Sequence, residues 1–324
     1  VLAVGELARA DGSVGWCVSI ANSIGLFAPY LGLDAARRVF GPPRATCAWG
    51  PPNDSRAIAV PGGYRVTGRW DFASGCRHAS WMGAHGAVVE PDGSLRLNKS
   101  GRPTIRTWLF PAEAATLLDN WHPIGLRGTA SESYTVKDLF VPEEFSGTRE
   151  DPTLRRDPGP LYAFPQQTLF YSVGIASGAL GIARGMLDAF IELALRKTPR
   201  GTGRLADNAV IQAEIARAKA KLGSARAYLV DTVRDIYAEA DDIAPIGILE
   251  RARARLAGSH AITNAVAVAD WTYKAAGVDA IFAGSPFERP FRDVHTLSQQ
   301  IQSRDAHYET IGQILLGETG FAGP

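Results

Sequence analysis

Three periodicities divide the chain. Over residues 1–40 the apolar positions Leu2, Val4, Leu7, Val14, Cys17 and Val18 recur at helical offsets, which puts their side chains on one face of a 3.6-residue turn. Asp11-Gly12-Ser13 interrupts that run. An Asp or Ser there can accept from the free N–H groups of a new helix, so two or three helices are predicted. Over residues 41–141 the pattern shortens to alternation: Ala57-Ile58-Ala59-Val60, Tyr64-Arg65-Val66, Gly86-Ala87-Val88-Val89, residues 104–110 and Tyr134-Thr135-Val136, bounded by Pro, Gly, Asp and Asn. Side chains of a strand point alternately to its two faces, so this stretch predicts a β domain. Pro61-Gly62-Gly63 and Pro91-Asp92-Gly93-Ser94 supply its hairpin turns, because Gly takes a positive φ without steric cost.

Residues 142–165 are rich in Pro, Arg and Asp and nearly aperiodic, which predicts a linker or a long crossing loop. Beyond them, apolar residues at three- and four-residue spacing predict four long helices, roughly 166–196, 206–240, 245–276 and 290–316, joined by short loops into an antiparallel bundle. The expected fold class is α+β multidomain: an N-terminal helical part at 1–41, a central β-barrel or sandwich at 42–150 and a C-terminal four-helix bundle at 151–324. Helices, then strands, then a bundle is not the alternation of common α/β enzymes.

Composition excludes more than it selects. With 324 residues, 46% of them hydrophobic, the chain can bury a large core. Lys+Arg 34 against Asp+Glu 33 leaves no basic field for nucleic acid and no acidic tail for a basic partner. Cys17, Cys47 and Cys76 lack both a disulfide framework and a zinc-like spacing, so no metal is expected and a reducing cytoplasm is the default. No apolar run approaches the roughly 20 residues of a membrane helix.

The segment Gly62 to Trp81 carries the chemistry. A tight turn feeds an alternating strand, which delivers Phe72, Ser74 and Gly75 to one spot. An aromatic face, a hydroxyl and a glycine together suit a flat redox ring that is stacked on one side and hydrogen-bonded at its edge, and a flavin is the first candidate. The bland alternative for Ser74 is a turn serine, common beside Gly.

Gly68-Arg69-Trp70-Asp71-Phe72-Ala73-Ser74-Gly75-Cys76, with His78-Ala79 and Trp81, resembles the flavin-dependent monooxygenase branch of the acyl-CoA dehydrogenase family. The resemblance covers nearly the whole chain and implies an acyl-CoA dehydrogenase-like fold, with Val1 matching a point inside the family's first domain. It implies that Ser74 bonds the ring near N5, where a dry site protects the oxygen-activated flavin. By the same resemblance Phe72 and Ala73 flank the isoalloxazine, Thr46, Ala48 and Trp49 line the neighbouring strand, Trp16 lies against flavin or substrate, and the Ser131 hydroxyl approaches the ring. Arg196 and Thr198 match residues placed on the FAD pyrophosphate of an adjacent subunit, where a guanidinium fork suits phosphate oxygens. Gly284-Ser285-Pro286 resembles a loop that meets flavin or its adenine end.

Two departures shape the expected reaction. Dehydrogenases of the family place a Glu nine residues after the Arg of an Arg-Asp pair, and that position here is Ile301, after Arg292-Asp293. Relatives that hydroxylate phenols often carry a His soon after the Gly15-Trp16 pair and another near position 300. This chain has Asn22-Ser23-Ile24 and Gln300 instead. Asn22, Gln300 and His295 are therefore expected to meet the substrate, and the string Phe291 to Gln300 is most like the indole-3-acetate monooxygenase subgroup. The expectation is an oxygenase using FAD or FMN, reduced by a separate flavin reductase, to hydroxylate a small aromatic or heteroaromatic. An oligomer, most simply a homotetramer, follows if the adjacent-subunit contact holds. An FAD-holding dehydrogenase of a thioester and a flavin-free scaffold protein are the alternatives.

Overall fold

The computed structural model describes residues 1–164, 170–240 and 246–317. The chain opens on α1 (Leu2–Ala10), α2 (Gly12–Gly25) and α3 (Leu33–Phe40). The break between the first two is the predicted one. Asp11 is extended, and its carboxylate accepts from Val14 N at 3.1 Å, satisfying one of the free N–H groups of α2.

Eight strands follow among the described residues: β1 (Cys47–Trp49), β2 (Pro52–Val60), β3 (Gly63–Ala73), β4 (Trp81–Val89), β5 (Ile105–Pro111), β6 (Thr116–Leu117), β7 (Glu132–Pro142) and β8 (Ser146–Gly147). The sheet runs β6-β7-β3-β2-β4-β5-β8. On one edge of β4, Trp81–Gly83 pairs with β1 and Ala87–Val89 with β2, both parallel; β5 takes the other edge. The hairpins fall where Gly allows positive φ, at Gly62 (79°) and Gly93 (88°). The sheet curls on itself. Tyr134 of β7 stacks on Trp70 of β3 at 5.3 Å, and its hydroxyl donates to the Gly83 carbonyl of β4, a strand that is not its neighbour in the sheet. The strands are longer than the alternation implied, and the short β1, β6 and β8 carry too few residues to show a period.

After a crossing segment with one short helix, α4 (Pro160–Ala163), the bundle comprises α5 (Ser172–Arg196), α6 (Ala209–Glu239), α7 (Ile248–Ala276), α8 (Glu288–Leu297) and α9 (Ala306–Leu315). Asn208 caps α6, accepting from Val210 N and Ile211 N. The expected helix starts at Gln166 and Pro245 lie outside the described residues.

The predicted helix 290–316 is two helices. Between α8 and α9 the polar run Ser298-Gln299-Gln300-Ile301-Gln302-Ser303-Arg304-Asp305 gives the backbone side-chain alternatives to helical bonding. Gln300 takes one of them. Its backbone is extended and its side chain accepts from Gln302 N at 2.7 Å, capping a 3₁₀ turn at Ile301–Ser303. Gln300 thus sits at a helix break and not on a long helix.

Two apolar cores result, one in the bundle around Ile182, Met186 and Phe190, the other inside the curled sheet around Trp70, Trp108 and Tyr134. Trp16 of α2 and Tyr171, at the start of α5, pack against both. Residues there are held from the helical side and the sheet side at once.

Candidate active site

The last residues of β3 enter that seam. Phe72 has φ 60° and is 62% exposed, Ala73 is fully buried, Ser74 is 7% exposed and Gly75 has φ 80°. Trp16 Nε1 donates to Ser74 Oγ at 2.9 Å. Ser74 Oγ lies 2.7 Å from Ser131 Oγ, and Ser131 Oγ lies 2.7 Å from Thr129 Oγ1. Thr129 Oγ1 donates to the Leu126 carbonyl at 2.8 Å. Gly75 N donates to the Thr129 carbonyl at 2.8 Å, so the strand end and the 126–131 segment are tied through backbone as well. Trp16, Ser74 and Ser131, three positions singled out in the sequence, are joined by hydrogen bonds, with Thr129 as an unforeseen fourth.

The 124–132 segment is clamped from two sides. Leu126 N donates to Asp293 Oδ1 at 2.6 Å, and the Arg292 guanidinium reaches the Ile124 carbonyl. Gly125 packs so closely on α8 that a Cβ there would lie 2.1 Å from the Arg292 carbonyl oxygen. Burial pushes the Asp293 carboxyl above the usual carboxylate range. On the other side Glu132, 3% exposed, accepts from Asn120 N at 2.7 Å, Trp121 N at 3.0 Å, and Arg77 Nε and Nη2 at 3.0 and 2.8 Å. Burial alone would raise its pKa, but the Arg77 cation and the two N–H groups outweigh burial and hold it below the usual range. This clamp sets Trp121 edge-to-face with Phe72, ring centroids 6.2 Å apart.

Non-glycine residues at positive φ among the described residues are Phe72, Asp119, Leu126, Ala130 and Asp138. Three of these, Phe72, Leu126 and Ala130, surround the hydroxyl cluster. Such backbone costs of order 1–3 kcal/mol per residue and persists where the surroundings impose it, commonly at a functional site.

Other predicted residues fall elsewhere. Thr46 Oγ1 donates to the His78 carbonyl, and Ala48 and Trp49 are buried in β1, with Trp49 Nε1 donating to Tyr171 Oη at 3.0 Å. Asn22 is exposed and its Nδ2 donates to Val18 O one turn back. His295 Nε2 pairs with Asp270 Oδ1 of α7 at 2.8 Å, a bridge between helices. Among the described residues, no hydrogen bond joins Asn22, His295 or Gln300 to the Ser74 cluster. Arg196 and Thr198 are exposed at the far end of α5. Lys197 between them reaches the Ala276 carbonyl at 2.6 Å and Asp279, next to the loop of Gly284 and Ser285. Two of the sequence motifs therefore share one end of the bundle. A cavity of about 180 Å³ opens between α1, α5 and α6, lined by Gly5, Leu180 and Leu222 among others, and its lining contains none of these residues.

An indole, a buried hydroxyl at a strand end and the exposed Phe72 backed by a half-buried Trp121 can stack a planar ring and hydrogen-bond its edge. The profile described as acyl-CoA dehydrogenase, C-terminal domain, matches residues 173–304. The chain is 31% identical over 314 residues to the flavin-dependent monooxygenase oxygenase subunit HsaA of Rhodococcus jostii (strain RHA1), covering 90% of this chain and 77% of that protein. It belongs to the flavin-dependent monooxygenases of acyl-CoA dehydrogenase fold. Indole-3-acetate monooxygenase of Pseudomonas putida is 28% identical over 98% of this chain and 79% of its own length. The crystal structure of 3-HSA hydroxylase from Rhodococcus sp. RHA1 superposes with a TM-score of 0.85 at 27% identity, covering 97% of this chain and 81% of that one. Membership makes the chain an enzyme, a flavin-dependent oxidoreductase, and the expected fold class is the one observed. No helix of the described residues is long and apolar enough to cross a membrane.

Proposed function

We propose that this chain is the oxygenase component of a two-component system. It takes reduced flavin from a separate reductase and uses dioxygen to hydroxylate a small aromatic or heteroaromatic compound. The observation that carries this is the Trp16–Ser74–Ser131 cluster beside the strained Phe72. Its groups fit a flavin: aromatic surface for the tricyclic ring, a hydroxyl for the N5 edge. When bound, reduced flavin supplies the two electrons that activate dioxygen. Ser74 would hold the ring edge, Trp16 would fix Ser74 and close one side, and Phe72 would flank the ring, with the fully buried Ala73 backing that strand end.

Among the described residues the acids beside the cluster are already engaged, which favours oxygenation over α-proton abstraction from a thioester. Glu132 is committed to Arg77 and two backbone N–H groups, Asp293 accepts from Leu126 N, and Ile301 occupies the position of the dehydrogenase Glu. Asn22, His295 and Gln300 are reserved for the substrate side, as polar groups on three separate elements.

Arg196, Thr198, Gly284 and Ser285 are assigned to the flavin of another protomer. Gly174 lies against Ser19 of α2, and Arg196 follows 22 residues later, about 33 Å along the helix at 1.5 Å per residue. Exposed Leu195, Val278, Ile281 and Phe282 at that end support an oligomer, most simply a homotetramer. Residues 1–41, 42–150 and 151–324 then act as helical, flavin-binding β and assembly domains. The unpaired Cys17, Cys47 and Cys76 accord with a cytoplasmic enzyme.

The test is a titration of the purified protein with reduced FMN and reduced FAD under oxygen, with a panel of indoles, phenols and acyl-CoA thioesters. Hydroxylated aromatic product supports the proposal. Tight FAD reduced by a thioester without oxygen instead makes the protein a dehydrogenase.

A further inference from the structure

With every contact of the Ser74 cluster made at once, hydrogen counting gives each bond a direction. The Leu126 carbonyl can only accept, so Thr129 spends its one hydroxyl hydrogen on it. Thr129 Oγ1 must then accept from Ser131, and Ser131 Oγ must accept from Ser74. The Trp16 indole can only donate, and it fills one lone pair of Ser74. The run is Trp16 to Ser74 to Ser131 to Thr129 to Leu126. The terminal carbonyl is itself held, because it also accepts from Trp121 Nε1 at 3.0 Å and Thr129 N at 3.2 Å. Ser74 is left with one open position, and that position accepts.

An acceptor distinguishes the two redox states of a flavin. N5 of the reduced ring carries a hydrogen and donates; N5 of the oxidised ring presents a lone pair and needs a donor. We propose that Ser131 and Thr129 are positioning residues that hold Ser74 as an acceptor and thereby make the site selective for reduced flavin. This rests on the reading of Ser74 as the N5 partner. A site polarised this way binds the form a reductase hands over and releases the oxidised form after turnover. Facing oxidised N5, Ser74 either sets lone pair against lone pair or breaks its bond to Ser131, leaving a buried acceptor short of a donor.

The experiment compares dissociation constants for oxidised and for anaerobically reduced FMN and FAD, in the parent and in S131A, S131T and T129V. The parent is expected to favour the reduced form. In S131A the Ser74 hydrogen is free to donate to oxidised N5. The preference should drop about tenfold, the worth of one hydrogen bond, mainly through tighter oxidised binding. By linkage the midpoint potential of bound flavin falls by about 30 mV for that tenfold change. S131T keeps the hydroxyl and should keep the preference; T129V should move it in the same direction as S131A by a smaller factor.

A parent that binds both redox forms equally overturns the inference, as does an S131A or T129V that weakens both forms by one factor, since a purely structural role predicts that. These results leave the oxygenase reading standing. A parent that binds neither flavin removes that reading and this inference together.

Discussion

Glu132→Gln tests whether the clamp around the site is electrostatic. The carboxylate presents one oxygen to Arg77 and the other to the backbone of Asn120 and Trp121. An amide has one acceptor oxygen, so one of the two sets must face an NH2 group. The lower-cost choice keeps the backbone bonds and gives up Arg77, which is 46% exposed and retains Asp119. Charge-assisted bonds contribute about 1.5–3 kcal/mol, and because Arg77 is nearly half exposed, solvent screening brings the expected loss below that range, to about 1 kcal/mol. Glu132→Ala also strands two N–H groups and should cost about 4 kcal/mol. The assay is urea unfolding, read as a lower midpoint at unchanged slope.

The pH dependence supplies an independent check. The folded carboxyl lies below its unfolded value near 4.3. Its contribution is therefore fully present above about pH 5 and is lost as pH falls below the unfolded value and through the lower, folded pKa. The gap between parent and Glu132→Gln should hold from pH 8 to about pH 5 and narrow below pH 4. Equal midpoints at pH 7, or a gap undiminished in acid, would mean that the clamp does not rest on the Glu132 charge.

The other predictions concern neighbouring contacts. Trp16→Phe keeps the aromatic volume but removes the donor to Ser74; stability should fall by about 1 kcal/mol and reduced-flavin affinity severalfold, both measured by titration and melting. Asp293→Ala leaves the buried Leu126 N–H unpaired and should cost about 2–3 kcal/mol, while Asp293→Asn, whose carbonyl still accepts, should cost less than 1 kcal/mol; similar unfolding midpoints for the two would sink this account of the loop. A Cβ at Gly50 would lie 1.8 Å from the Asp71 carbonyl oxygen, so Gly50→Ala should abolish soluble expression or lower stability by more than 3 kcal/mol. His295→Gln breaks a half-exposed pair with Asp270 and should change the unfolding free energy by under 1 kcal/mol, which leaves any large fall in turnover attributable to the substrate side.

Much of the architecture is legible because its elements are long or strongly punctuated. The Asp11 cap, the Gly62 and Gly93 hairpins and the apolar stripes of α5, α6 and α7 all announce themselves locally. The split of the last predicted helix is less visible, because Leu297, Ile301 and Tyr308 keep four- and seven-residue helical spacings while Ser298 and Gln300 among them take backbone bonds. At the site, Ser74, Trp16 and Ser131 could be named from a resemblance, but nothing local says that positions 16, 74 and 131 meet. Thr129 escaped notice because it matters only through its partners on either side. Its geometry depends on left-handed backbone at Leu126 and Ala130, residue types that give no hint of positive φ. Glu132 and Asp293, the anchors of that strained segment, act on N–H groups 11 and 167 positions away, a separation no short motif encodes.

The most direct test of the central claim is an isotope experiment: the protein is charged with enzymatically reduced FMN or FAD, exposed to ¹⁸O₂ with an accepted aromatic, and the product weighed by mass spectrometry, beside Ser74→Ala. One ¹⁸O atom is expected in the hydroxylated product of the parent; in Ser74→Ala the yield should be at least tenfold lower, with the reduced flavin oxidised and dioxygen released as hydrogen peroxide instead. Product oxygen drawn from water, or full coupling in Ser74→Ala, would contradict that claim.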